Sequence, residues 1–205
     1  MEDKRYLTAI SYFAEAIVQS PANPELYFQR GNAKLMLEDY NSAIDDYSRA
    51  IVLDSSAAKY FINRGLTHTS AENYKTAIQD YNEAVRLDST DGQIYFNRAY
   101  AYEMLNEYDT ALSDYSMAIN FDSSNSKYFV NRGNLHSFLG NSNEAISDFS
   151  KAIELDPNSA EAFYQSGGAL YRLRRYKQSI DRFSKAIALD PKYARAYDAR
   201  GEARR

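Results

Sequence analysis

The sequence repeats itself every 34 residues. The blocks 24–57, 58–91, 92–125, 126–159 and 160–193 align without gaps, and the same residue types recur at fixed positions in each. A chain with this period is expected to fold as a row of similar units, because each unit buries its apolar face only against its neighbours. The recurring columns are an aromatic residue (Tyr27, Phe61, Tyr95, Phe129, Phe163, Tyr197), a small residue (Gly31, Gly65, Ala99, Gly133, Gly167, Gly201), alanine or serine (Ala9, Ala43, Ala77, Ala111, Ala145, Ser179), a second aromatic residue (Phe13, Tyr47, Tyr81, Tyr115, Phe149, Phe183) and alanine (Ala16, Ala50, Ala84, Ala118, Ala152, Ala186).

Within a block the apolar residues are spaced three and four apart, which is the stripe of an amphipathic helix. A short polar link such as 105–107 divides each block into two, and a turn cluster such as 156–158 separates one block from the next. Each block therefore predicts two antiparallel helices. Residues 1–23 then form a lone second helix, and residues 194–205 form a lone first helix.

These columns resemble the tetratricopeptide repeat (TPR), and the segment 159–191, SAEAFYQSGGALYRLRRYKQSIDRFSKAIALDP, shows the pattern nearly whole. Ser55, Ser89 and Ser123 stand where later copies have proline, and serine also suits a turn. The resemblance covers residues 1–205 and implies a single all-α domain, a right-handed α-solenoid of 34-residue helix-turn-helix repeats. It also implies a concave groove, lined by the first helix of each pair, that binds another protein.

Composition argues against several function classes. The chain of 205 residues has no cysteine, which excludes thiolate chemistry, and it has no apolar run long enough to predict a membrane span. A net charge of −4 argues against general nucleic-acid binding. His68 and His136 lie two blocks apart, and Gly167-Gly168 lacks the surroundings of a phosphate loop. We expect a soluble cytoplasmic protein that is not an enzyme and has no metal or cofactor.

Two columns carry opposite charges, and both columns change residue type in the same block. Arginine precedes the small residue in four blocks, and aspartate follows sixteen positions later, whereas the fifth block has Ser166 and Arg182. Pairing arginine with the aspartate of the preceding block would leave Ser166 facing Asp148, so pairing within a block is more consistent. We predict four bidentate, partly buried bridges with a structural role. They are Arg30–Asp46, Arg64–Asp80, Arg98–Asp114 and Arg132–Asp148.

The residues that follow the first aromatic column are expected to face the groove. An apolar column would provide shallow pockets, and an amide column beside it could bind a peptide backbone, since a side-chain amide both donates and accepts hydrogen bonds. The amide column is similar to the asparagine ladder of O-linked N-acetylglucosamine transferases; alternatively, these amides bond only to neighbouring helices. The predicted groove residues are Phe28, Ile62, Phe96, Val130 and Tyr164, then Gln29, Asn63, Asn97, Asn131 and Gln165, and in addition Asn32, Tyr100, Asn134 and Arg172.

The sequence is compatible with three function classes: an adaptor that binds an extended peptide of a partner protein, a substrate-recruiting segment of a larger enzyme, and a self-assembling scaffold. The clamp by which related modules bind the acidic tail of heat-shock chaperones is not matched, because at most two of its five positions fit in any three consecutive blocks. Residues 171–205 carry 11 basic and 4 acidic side chains, so this end is either a solvated face or a site for an acidic or phosphorylated ligand.

The opening helix is apolar on more than one side. No first helix of the same repeat covers its apolar residues, which are Tyr6, Leu7, Ile10, Tyr12, Phe13 and Ile17. Terminal repeats normally carry a polar outer face. We therefore expect either additional residues before Met1 or a second chain, possible in a homo-oligomer, to cover this helix.

Overall fold

The computed structural model describes residues 2–205, apart from the side chain of Glu2, and over that range it contains helices and turns but no strand. The chain divides into two compact units, residues 1–111 and 112–205, and the division falls within α7. The all-α class predicted from the repeat is confirmed. The helices are α1 (Glu2–Gln19), α2 (Pro24–Leu35), α3 (Tyr40–Leu53), α4 (Ala58–Ser70), α5 (Tyr74–Leu87), α6 (Gly92–Met104), α7 (Tyr108–Phe121), α8 (Ser126–Phe138), α9 (Ser142–Leu155), α10 (Ala160–Arg172), α11 (Tyr176–Leu189) and α12 (Ala194–Ala203).

In the first unit α2 packs against α3 and α4 packs against α5, and successive pairs stack on one another. In the second unit α8 pairs with α9 and α10 with α11 in the same way, and α12 packs on α11. None of the helices within the described range is both long and apolar enough to cross a membrane. Each unit is therefore a short stack of helix pairs, which is the solenoid arrangement.

The turn inside each pair depends on one residue with a left-handed backbone. Gly140 has a φ of 84°, and the residues at the same repeat position, Glu38, Glu72, Asn106 and Arg174, have φ between 57° and 62°. Left-handed backbone costs an L-residue about 1–2 kcal/mol, so four of the five turns store a small strain.

The turn between repeats depends on an aspartate. The side chain of Asp88 accepts the backbone N–H of Thr90 at 2.9 Å, and Asp156 accepts that of Asn158 at 3.0 Å. The hydrogen bonds that Thr90 donates lower the pKa of Asp88, chiefly the one from its backbone N–H and then the one from its hydroxyl. Because the aspartate closes the turn, the residue that follows it can be serine or proline. The same bond recurs at Asp54, Asp122 and Asp190.

In four helix pairs, α2–α3, α4–α5, α8–α9 and α10–α11, a glycine on the first helix faces an aromatic ring on the second. A Cβ at Gly31 would lie 2.8 Å from the ring of Tyr47, and a Cβ at Gly167 would lie 2.7 Å from the ring of Phe183. Both rings are almost completely buried. The two helices can approach this closely only because the first helix has no side chain at that position.

Candidate functional site

The amides of the first unit are fixed by their own helices. Asn63 donates Nδ2–H to the carbonyl oxygen of Lys59 at 2.8 Å, and Gln29 donates Nε2–H to the Glu25 carboxylate at 2.6 Å. Glu25 in turn forms a 2.6 Å ion pair with Lys59, which links α2 to α4. Each amide therefore uses one N–H within its own helix, and its oxygen has no partner among the described residues.

Asn97 on α6 has the opposite arrangement. Its Oδ1 accepts a hydrogen bond from Gln93 Nε2 at 2.8 Å, while its Nδ2 is buried and has no partner over residues 2–205. The side chain is among the buried polar residues, at 8% exposure. A buried amide donor without an acceptor costs roughly 1–3 kcal/mol, so Asn97 is the amide of this column that carries an energetic cost in the free protein.

The second unit repeats the pattern of the first. Asn131 on α8 donates to the carbonyl oxygen of Lys127 at 2.9 Å, and Gln165 on α10 donates to the Glu161 carboxylate. Glu161 also accepts the hydroxyl hydrogen of Tyr193. In both units the residue four positions earlier orients the amide, and sequence inspection did not single out that residue.

The apolar column contributes mainly to the core, and of its members Tyr164 also lines a cavity of about 200 Å³, together with Gln165 and Arg172. Phe28 is buried, and its ring centroid lies 5.9 Å from that of Tyr47 and 5.3 Å from that of Tyr60, with Lys59 Nζ above the ring at 5.0 Å. Phe28, which comes one residue after the first aromatic column, thus packs against Tyr60 on α4, the first helix of the next repeat. Ile62, Val130 and Tyr164 likewise pack on buried clusters, and Phe96 is half-buried.

The remaining predicted groove residues divide between structural and exposed positions. Asn32 Oδ1 accepts the Tyr47 hydroxyl at 2.8 Å and so satisfies a buried phenol, and Arg172 donates to the carbonyl oxygen of Ser137 near the end of α8. Tyr100 is exposed and Asn134 is half-buried. Asn32 and Arg172 therefore have structural partners that the sequence pattern did not indicate.

In three of the predicted Arg–Asp pairs both residues belong to the same unit, and the structure brings the two side chains of each pair together. Arg30 donates to Asp46 from Nε at 2.8 Å and from Nη2 at 2.6 Å, which is a bidentate pair with the carboxylate almost fully buried. Arg64–Asp80 and Arg132–Asp148 have the same geometry. Arg98 and Asp114 fall in different units, and their pairing stays a prediction.

The arginines also contact the preceding repeat. Arg64 Nη1 donates to Ser48 Oγ at 2.9 Å, and Arg132 Nη1 donates to Ser116 Oγ at 3.0 Å. Arg98 Nη1 makes the same contact with an amide oxygen, Asn82 Oδ1, at 2.8 Å. One guanidinium thus joins two consecutive repeats. The recurring serine or asparagine sixteen positions before each arginine was the signal for this contact.

The arginine, the aspartate and the serine or asparagine of the preceding repeat form a polar cluster. A further residue, on the first helix, joins this cluster, and its type differs between repeats. In the first full repeat Lys34 Nζ forms a second ion pair with Asp46 at 2.7 Å. His68 occupies the same position one repeat later, where burial lowers its pKa while the charge of Asp80 partly opposes that shift. His68 Nδ1 is buried without a partner over residues 2–205, and so is Nδ1 of His136.

The fifth full repeat moves the cation from one helix to the other. Ser166 replaces the arginine, and Arg182 on α11 now lies over the ring of Phe163, with Cζ 5.7 Å from the ring centroid. In the second unit's preceding repeat, Arg132 lies over Phe129 at 6.0 Å. The contact between cation and ring therefore persists where the ion pair is lost.

Comparison with family models identifies the repeats. Models described as tetratricopeptide repeat match residues 1–59, 126–159 and 160–193, and a model described as TPR repeat matches residues 68–106. The chain belongs to the tetratricopeptide repeat family. No curated protein matches the sequence significantly.

Solved structures show the same fold. The crystal structure of YrrB, described as a TPR protein with an unusual peptide-binding site, aligns with a TM-score of 0.76 at 24% identity, over 92% of this chain and 97% of that chain. The C-terminal part of a TPR repeat-containing protein from Cytophaga hutchinsonii aligns with 0.82 at 21%, over 97% and 80%. A fragment of MamA from Desulfovibrio magneticus aligns with 0.76 at 14%, over 83% and 96%.

Proposed function

We propose that the protein is a non-enzymatic interaction scaffold whose first unit binds an extended segment of a partner protein along α2, α4 and α6. The observation that carries the proposal is the set of amides that their own helices orient but only partly satisfy. Gln29, Asn63 and Asn97 occupy the same repeat position on these three helices, so they form one column.

The available hydrogen-bonding groups suit a peptide backbone. Asn63 retains its Oδ1 and one N–H, and Gln29 retains its Oε1 and one N–H. An extended backbone presents alternating N–H and C=O groups, so it can bond to such a column without any requirement on its side chains. Because the apolar column is largely core, we propose that the amides supply most of the specific contacts. The description of YrrB as a peptide-binding TPR protein supports this kind of ligand.

The test is a selection of binders from a displayed library of random peptides against residues 1–205, followed by measurement of each peptide's Kd. Asn63→Ala should weaken the selected peptides by about 2- to 12-fold for each hydrogen bond lost, which corresponds to about 0.5–1.5 kcal/mol. Gln79→Ala is the matched control, because Gln79 is an exposed amide on a second helix. Circular dichroism should show that both variants are folded.

Two results would contradict the proposal. One is that Gln79→Ala weakens binding as much as Asn63→Ala does. The other is that Asn63→Ala and Gln29→Ala both leave every Kd unchanged. Asn131→Ala in the second unit, with the exposed Asn143 as its control, tests whether that unit binds peptide independently.

A further inference from the structure

The second unit contains a cleft that the peptide-binding proposal does not use. It has a volume of about 470 Å³ and lies among α9, α10 and α11. Its wall is apolar, and its rim is cationic. The apolar wall comprises Ile146, Phe163 and Leu170, and the rim includes Arg175, Arg182 and Lys185.

The cleft occurs in the repeat where the Arg–Asp pair is reversed. In the preceding repeat Arg132 and Asp148 neutralise each other between the two helices. Here serine stands at the arginine position, leucine replaces the histidine one turn later, and Arg182 replaces the aspartate. Ser166 and Leu170 on α10 are thus uncharged, and Arg182 on α11 has no aspartate of its own repeat to pair with.

The positive charge on the rim is not balanced. Arg182 contacts the Phe163 ring, but neither it nor Arg175 nor Lys185 has an acidic partner over residues 2–205. Asp181 is the one carboxylate that lines the cleft, against three cations. The cleft therefore carries a formal charge of about +2 beside an apolar wall, where electrostatic attraction is stronger than in bulk water.

The start of α11 adds to this field. Arg175 is the N-cap residue and makes no side-chain capping bond, whereas Asp39 at the same repeat position accepts the backbone N–H of Ser42. A helix N-terminus carries a partial positive charge, so a cationic cap is unfavourable unless an anion binds there. Gln178, in the first turn of this helix, also lines the cleft.

A buried hydroxyl lies at the substituted position. Ser166 is fully buried, and its Oγ has no partner over the described part of the chain. It is three residues after Phe163 and four before Leu170, so all three residues share one face of α10. Ser166 itself does not line the cleft, so its unsatisfied hydroxyl reflects the substitution at this position and is not a contact for the ligand.

We propose that this cleft binds an aryl phosphate: a compact aromatic group against Phe163 and Leu170, with its phosphate at Arg182, Arg175 and Lys185. A phosphate dianion matches the net charge of the rim, and guanidinium groups bind phosphate in a bidentate manner. The volume suits one side chain or one small molecule. The ligand is either a phosphorylated aromatic side chain of a partner protein or a free phosphate ester, and this site is independent of the peptide column on the first unit.

Calorimetric titration of residues 1–205 with phenyl phosphate, phenol and inorganic phosphate tests the proposal. Phenyl phosphate should bind more tightly than either fragment, because each fragment lacks one half of the recognised chemistry. Arg182→Ala should weaken binding by about tenfold or more, the usual effect of losing a charge-assisted bond. Lys151→Ala is the matched control, since Lys151 has the repeat position of Lys185 on α9 and is exposed.

A second variant keeps the test decisive if Arg182→Ala does not fold. Ser166→Arg combined with Arg182→Asp restores the pattern of the other repeats, and it should fold and lose phenyl phosphate binding. A phosphotyrosine peptide that binds more tightly than phenyl phosphate would indicate a protein ligand, and equal affinities would indicate a small molecule. The proposal is overturned if the wild type shows no binding at millimolar phenyl phosphate, or if Lys151→Ala and Arg182→Ala lose affinity equally.

Discussion

Two adjacent glycines in α10 allow a direct test of the packing between paired helices. A Cβ added at Gly167 would lie 2.7 Å from two ring carbons of Phe183, whereas a Cβ added at Gly168 would meet nothing within 4 Å. Both positions are in the interior of the same helix. Substitution of each by alanine therefore makes the same change in helix propensity but a different change in packing.

The magnitudes follow from these two contributions. Alanine is favoured over glycine in a helix interior by about 0.8–1.0 kcal/mol, so Gly168→Ala should raise the free energy of unfolding by about that amount. Gly167→Ala gains the same propensity but forces apart two buried elements, and overpacking of this kind costs about 1–3 kcal/mol. The two variants should therefore differ by about 1–3 kcal/mol, with Gly167→Ala the less stable.

Urea denaturation, followed by circular dichroism and by tyrosine fluorescence, measures the difference. Coincident transitions from the two probes would justify a two-state analysis, which repeat proteins do not always satisfy. An unchanged m-value would assign the shift in midpoint to stability. In thermal unfolding the same difference should appear as roughly 2–4 °C per kcal/mol for a chain of this size.

A change at the ring itself tests the mechanism. In a Phe183→Leu background the ring carbons that crowd position 167 are absent, so Gly167→Ala should cost less than in the wild type, with a coupling energy of about 0.5–3 kcal/mol. The packing argument is refuted if Gly167→Ala is as stable as Gly168→Ala, or if its cost is the same in both backgrounds.

Three further expectations concern the polar cluster and the turns. Arg132→Ala should destabilise the protein by about 3 kcal/mol, at the low end for a buried pair because the arginine is partly exposed, and adding Asp148→Ala should recover part of the loss; additive losses in the urea double-mutant cycle would contradict this. Gly140→Ala should lower the free energy of unfolding by about 1 kcal/mol, since its φ of 84° is left-handed; an unchanged urea midpoint would argue against strain at this turn. Burial lowers the pKa of His68, so the unfolded chain is protonated first as the pH falls, and stability should decrease from about pH 7 to 5. His68→Gln should reduce that dependence, and an unchanged pH profile would refute the assignment.

The 34-residue period was sufficient to predict the helices and their pairing, and it marked the small and aromatic columns that meet in the core. Columns such as Gly31 and Tyr47 predict close packing because a small residue and a large residue recur at a constant separation of sixteen. The Arg–Asp partners could be predicted for the same reason, because arginine and aspartate also recur sixteen residues apart. When two residues in contact belong to the same repeat, the same pair of residue types recurs in most copies, and each copy supports the predicted contact.

Contacts that depend on side-chain direction were harder to predict. Phe28 follows the core aromatic by one residue, which placed it in the groove by helical geometry, but its ring turns into the core against Tyr60. The left-handed residue of the intra-pair turn was also missed, because Glu38 and Arg174 carry no glycine signal. Here the close pairing of the helices fixes the backbone and overrides local preference.

The fifth full repeat shows which part of the polar cluster each repeat requires. Arginine lies over the first aromatic column in the other copies, as with Arg64 over Phe61 at 5.8 Å and Arg200 over Tyr197 at 5.5 Å. In the fifth copy Arg182 supplies that cation from the opposite helix although the aspartate is absent. A buried ion pair adds little net stability once desolvation is counted, whereas a cation over an aromatic ring keeps its stem packed and its charge partly hydrated. The cation–ring contact is therefore the part of the cluster that the fifth full repeat retains although it has neither the arginine on the first helix nor the aspartate on the second.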